Sequence, residues 1–187
     1  MRIDGIKIAL CIGLSVSVAI NVLQGTRLLR LADAGKEQTG QGELRPGMIR
    51  PNLELKDLSG RRVMIDFGST EKSTVLYVFT PSCAWCARNS QNLAALAKQI
   101  PGSYRLVGLS LSGSGLGSFV KAHGISFPVY QDPSPDVIAT YHLGPTPETL
   151  VIAPGGRLSV TWTGAFLGPT RSLVERFFSI RLPDPES

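Results

Sequence analysis

Histidine is nearly missing from this chain, and cysteine is scarce: two His and three Cys in 187 residues. So few soft ligands leave little room for a structural zinc, which takes four. Charged residues make up 18% of the chain against 43% hydrophobic, a balance that fits a packed core and argues against disorder. The net charge of +5 is concentrated at one end. The first 50 residues hold seven Lys or Arg against four Asp or Glu, and the remaining 137 hold twelve against ten. The later part also has no basic cluster interleaved with aromatics, which excludes a nucleic-acid footprint. No internal repeat is visible.

One long hydrophobic run exists, Ile6 to Leu23, with Arg2 and Lys7 at its start. It approaches the length that spans a bilayer. Ser17-Val18-Ala19 offers small residues of the kind a signal peptidase cuts after, but the apolar stretch continues beyond Ala19, which favours an uncleaved anchor. Cys11 then reads as a small apolar residue of that anchor. Arg27 and Arg30 follow the run much as Arg2 and Lys7 precede it, so charge does not fix its orientation. The expected organisation is a membrane anchor or signal peptide over 1–31, a Gly-rich polar linker over 32–46 and one domain over 47–187.

Within the domain, "NLELKDLSGRRVMIDF" alternates around Ser59-Gly60 and predicts a hairpin from Leu53 to Ile65. "STVLYVFT" is a β-rich apolar run suited to a buried central strand, with a helix after it. "YRLVGLSL" and "FPVYQD" read as strands, "GLGSFVKAH" and "PDVIATYHL" as helices. "ETLVIAPGGRLSVTWTG" reads as a second hairpin turning at Pro154-Gly155-Gly156, before a last helix from Thr170 to Ile180. Strand-helix-strand units followed by a hairpin predict an α/β fold in which helices flank a mixed sheet.

The chemistry centres on "TPSCAWCARN", where Cys83 and Cys86 stand three apart at the start of a helix. Haem attachment needs His at position 87, which is Ala. Zinc lacks ligands, since only His123 and His142 remain in the domain, each at the end of its own helix, where a cation complements the dipole. A purely structural bridge would close too small a loop to matter for stability. A redox pair remains, with Cys83 at the helix N-terminus as the attacking sulfur and Cys86 resolving the mixed disulfide. Lys72 and Arg88 read as solvated charges.

From Gly47 to Gly168 the chain resembles the thioredoxin superfamily and, within it, the membrane-tethered thiol:disulfide oxidoreductases of the TlpA/ResA type. The resemblance rests on "RPGMIRPNLELKDLSGRRV", "VLYVFTPSCAWCARN" and "HGISFPVYQDPSPDVIATYHLGPTPETLVIAPGGRL" in that order. It implies a thioredoxin-like three-layer fold with an extra N-terminal β-hairpin, and a cis-proline at Pro147 after Thr146. That proline would pack beside the cysteines and expose the preceding backbone to an extended substrate segment. Pro81, Trp85, Thr146, Pro147 and Glu148 join Cys83 and Cys86 as expected site residues. Trp85 is expected to be exposed and to touch partners.

The chain departs from thioredoxin proper six residues before the first cysteine, where a buried Asp is replaced by Tyr77. Glu148 is the nearest carboxylate by sequence and is expected to influence the protonation of Cys86. The resemblance implies protein thiol or disulfide substrates, such as apocytochrome c or other exported proteins, and a membrane thiol reductase as electron donor. It also implies an extracytoplasmic site, in the bacterial periplasm or on the outer face of the membrane, working as a reductant without cofactor or metal. Two rivals are a thiol peroxidase and a copper carrier. The first shares Thr80 three before Cys83 but has Leu76 where its motif needs Pro, and the second lacks a well-placed His.

Overall fold

The structure is a computed structural model that describes residues 46–183. The apolar segment 1–31, with Cys11 and Ser17-Val18-Ala19, and linker residues 32–45 lie outside the described residues. In chain order the elements are β1 (Leu53–Asp57), β2 (Arg62–Ile65), β3 (Ser73–Phe79), α1 (Ala84–Arg88), α2 (Ser90–Gln99), β4 (Tyr104–Ser110) and α3 (Leu116–Ala122). They continue with β5 (Val129–Gln131), α4 (Pro135–Tyr141), β6 (Glu148–Ile152), a 3-10 turn (Pro154–Gly156), β7 (Leu158–Thr163) and α5 (Gly168–Phe178).

β3 is central because its side chains can be buried on both faces, and six of its seven residues are. The sheet order is β2-β1-β5-β4-β3-β6-β7, with β3, β4 and β5 parallel and the other pairings antiparallel. Alternate residues of β3 face two separate cores. Val75, Tyr77 and Phe79 pack with Cys86, Leu93 and Phe178. Leu76 and Val78 pack on the other side with Leu53, Tyr141 and Leu150. This is the mixed sheet with helices on both faces, in the thioredoxin-like arrangement.

Local chemistry sets the ends of the elements. The β1–β2 turn closes on Asp57, whose carboxylate accepts from Ser59 N (2.8 Å), Ser59 Oγ (2.6 Å) and Arg61 N (3.0 Å). Those bonds, the Ser59 hydroxyl first, hold Asp57 down to a pKa of about 2. Ser134 caps α4 by accepting from Val137 N at 3.2 Å, with Pro135 opening the helix. At the β6–β7 turn Gly156 sits at φ 82° against the Arg50 carbonyl, where a Cβ would collide.

One detail differs from the sequence reading. The helix after Cys83 is two helices, broken at Asn89, whose side chain turns inward. At the end of α4 it is His142 itself, at φ 50°, that takes the left-handed position, while after His123 that position falls to Gly124 at φ 58°.

Candidate active site

β3 delivers the chain upward to Thr80, whose carbonyl accepts from Cys83 N at 3.1 Å and starts the turn into α1. Cys83 is the N-cap, in extended backbone, and its sulfur accepts from Cys86 N at 3.1 Å. That is the position a Ser or Asp usually takes, filled here by a sulfur. The same amide is available to stabilise a thiolate on Cys83 once the pair is reduced. The two sulfurs are bonded, with Cα atoms 5.2 Å apart. Cys83 is half-buried and Cys86 is 1% exposed. A partner therefore reaches Cys83, and Cys86 is shielded.

The expected loop lies beside the first cysteine. The Thr146–Pro147 bond is cis, and the Thr146 carbonyl oxygen lies 3.5 Å from Cys83 Sγ. Pro147 is buried and its carbonyl accepts from Gly164 N at 2.7 Å, which ties the loop to the end of β7. Pro81 is half-buried beside Gly115. Trp85 is 51% exposed, and the Arg88 guanidinium stacks 4.9 Å over its ring. Arg88, read from the sequence as a solvated charge, is thus engaged with the indole.

Glu148 opposes Val78 in the register and therefore points to the sheet face shared with Val78 and Leu150. Tyr77 and Thr149 occupy the opposite face, on the side of Cys86. The structure thus joins Glu148 to the cis-proline in sequence while placing its side chain across the sheet from the buried sulfur. Glu148 is 3% exposed. Its Oε1 accepts from Thr161 Oγ1 at 3.3 Å, and Oε2 has no partner. Burial pushes its carboxyl up to about 7, with the Thr161 bond working weakly against this.

Under α1 lies a polar cluster that the sequence reading missed. Asn89 Nδ2 donates to Tyr77 Oη (3.3 Å), while Asn89 Oδ1 accepts from Phe166 N (2.9 Å) and Asn92 Nδ2 (3.0 Å). Asn92 Nδ2 also donates to Phe166 O at 3.2 Å. Burial drives the Tyr77 phenol well above its ordinary pKa, so it stays protonated. The signal available in the sequence was weak: two Asn, both poor helix formers, three apart in an otherwise Ala- and Leu-rich stretch. His123 and His142 are not part of the site; the His123 ring packs on Phe119 at 4.4 Å.

Residues 46–161 match the AhpC/TSA family. Among curated relatives, the chain is 25% identical over 166 residues to "Thiol-disulfide oxidoreductase ResA" of Bacillus subtilis, covering 82% of this chain and 83% of that one. It is 26% identical over 140 residues to the protein of the same name from Halalkalibacterium halodurans, covering 71% and 69%. Among solved structures, the thioredoxin domain of a thiol-disulfide oxidoreductase from Bacteroides vulgatus aligns with a TM-score of 0.58 at 18% identity, over 73% of this chain and 99% of that one. StoA from Bacillus subtilis aligns at 0.55 and 21% identity, over 70% and 98%. At these identities the structural likeness establishes the fold.

Proposed function

The chain belongs to the AhpC/TSA family, and we propose that it works there as a thiol-disulfide oxidoreductase that exchanges its Cys83/Cys86 pair with partner proteins. The observation that carries this reading is the asymmetry of the pair. A half-exposed sulfur receives a helix amide and faces a backbone carbonyl, and a buried sulfur stands behind it.

In the reducing direction, the Cys83 thiolate attacks one sulfur of a partner disulfide. A mixed disulfide forms and the partner's other sulfur leaves as a thiolate. Cys86 then loses its proton and attacks Cys83 Sγ, so the mixed bond breaks, the partner leaves with both cysteines reduced and the Cys83–Cys86 bond returns. The Thr146 carbonyl is the site at which the partner's extended backbone adds a hydrogen bond, with Trp85 and Pro81 flanking it. Leu76, standing where the peroxidase motif needs Pro, favours this exchange over the peroxidase reading.

Glu148 is a positioning residue in this scheme, acting on the protonation of Cys86 through the Thr146–Pro147 loop rather than by direct contact. The apolar segment 6–23 supports placing the domain outside the cytoplasm, tethered to a membrane, and among the described residues no helix is long and apolar enough to cross one. Exported proteins, apocytochrome c among them, are the proposed substrates, and a membrane thiol reductase is the proposed donor.

The reduction potential of the couple in the full chain tests the reading. Equilibrated against dithiothreitol buffers, a value below roughly −220 mV is expected for a reductant. A value near about −120 mV would reverse the direction, and a chain with no two-electron couple would end the oxidoreductase reading.

A further inference from the structure

The end of the sheet opposite the cysteines is where the chain enters the domain. Gly47 N donates to Leu158 O (2.7 Å), Leu158 N donates to Met48 O (2.8 Å), and Ile49 bridges to Arg157. Leu158 pairs with Ile152, and Ile152 with Thr74, at the beginning of β3. Five residues of extended strand then separate this level from Phe79, roughly 17 Å, before the chain turns to Cys83. The first described residues, Gly47 to Ile49, therefore lie on the side of the domain away from its redox pair.

That same end has a particular composition. Ile49 is 61% exposed and Met48 38%. Phe177, also 38% exposed, packs against Tyr104, which stands beside Ser73 at the same level. Around them are five exposed cations: Lys72 just before β3, Lys98 at the end of α2, Arg157 at the start of β7, Arg176 in the last turn of α5, and Arg181. Arg181 is placed here by its backbone bond to Gln99 Oε1 at 3.2 Å. Among the described residues none of the five makes a salt bridge, whereas the neighbouring acid Glu175 is already paired with Arg171 at 3.3 Å. Among the described residues Asp66 and Glu71 are the other acids nearby, and Asp184 and Glu186, which follow Arg181 in the sequence, lie outside them.

We infer that this end is a docking face for an anionic lipid surface, so that the domain rests on its own membrane with Cys83 directed outward. Exposed apolar side chains ringed by unpaired Lys and Arg are what a headgroup layer binds, the former by insertion and the latter by attraction to acidic lipid. The inference rests on the reading of residues 6–23 as a membrane anchor, because only an anchored domain holds this face against one bilayer. The consequence is functional: the pair meets partners that approach from the aqueous side, and a donor embedded in the membrane must present its thiols above the surface.

Hydrogen exchange of the full chain in nanodiscs tests it, comparing phosphatidylcholine alone with phosphatidylcholine containing phosphatidylglycerol. Amides in 46–50, 70–73, 155–158 and 176–182 should slow at least about threefold when the acidic lipid is present. Those in 80–90 and 144–148 should be unchanged. The K72E/R157E/R181E variant should lose the protection yet react with a small soluble disulfide at the wild-type rate. A chain that enters nanodiscs but shows equal exchange in both lipids overturns the docking face alone, as does protection centred on Cys83. Protection that grows with protein concentration assigns the face to a second copy and also overturns it. A chain that does not associate with nanodiscs fails the anchor reading and this orientation together, leaving thiol exchange to be judged by its own couple.

Discussion

Two buried polar groups border the strand that leads to Cys83, and they are finished differently. Beneath α1, the Asn89 side chain and that of Asn92 bind Tyr77 and both backbone groups of Phe166, so each amide is used. At the head of β6, Glu148 keeps one oxygen without a partner and Thr149 its hydroxyl, although both residues are as deeply buried. A satisfied network costs little and fixes geometry, while an unsatisfied one costs free energy wherever it stands. The first cluster therefore holds the frame: it breaks the helix after Cys86 and anchors the chain leaving β7. The second adjoins the cis-proline loop and keeps two buried polar atoms, Glu148 Oε2 and Thr149 Oγ1, without partners.

The contrast breaks most severely at Asn89. Replacing it with Ala leaves the Phe166 amide and the Tyr77 hydroxyl buried without their partner, and we expect a loss of about 3 kcal/mol in urea unfolding. The Cys83 reaction rate should change much less in the fraction that remains folded. A loss below about 1 kcal/mol would show that the cluster is replaceable and that the helix break has another cause.

Glu148 comes next, and its sign follows from its raised pKa. The folded state keeps the proton until about pH 7, whereas a carboxyl of ordinary value 4.5 loses it earlier in the unfolded chain. The stability that this group contributes is therefore fully present below 4.5 and is lost as pH rises through about 7. Allowing for screening near the open end of the strand, the swing is on the order of 2 kcal/mol. Glu148→Gln should flatten the decline between pH 5 and 8 and be the more stable form at pH 8. The same variant should shift the pH profile of thiol alkylation. A flat profile in the wild type, or identical alkylation curves, would detach Glu148 from the site.

The difference between these two regions also marks what could be read from the sequence. The alternation in "NLELKDLSGRRVMIDF", the apolar run of β3 and the Pro-Gly-Gly turn carry their structure locally, through side-chain period and turn chemistry, and each lies where the pattern puts it. Cys83 and Cys86 were legible for the same reason, since three residues at a helix start fix their separation. The cis bond at Pro147 is different: sequence resemblance pointed to it, and no local rule does. Asn89 was invisible because its three partners come from β3, α2 and the loop before α5, as much as 77 residues away. Glu148 could be found as the nearest carboxylate, but its direction depends on strand register, which places it opposite Val78 instead of Tyr77.

The finest test is Thr149, because it faces the same side as Tyr77 while sharing the defect of Glu148. If its hydroxyl is a burial cost with no role, Thr149→Val removes an unpaired polar group while conserving shape. Stability should then stay the same or rise by up to about 1 kcal/mol, with the redox couple unmoved. If the hydroxyl instead serves the buried sulfur during turnover, stability will rise as before but the potential or the alkylation profile will move. A loss of more than about 1 kcal/mol would contradict both outcomes and show that Thr149 is already bonded in solution, which would make the head of β6 as complete as the Asn89 cluster.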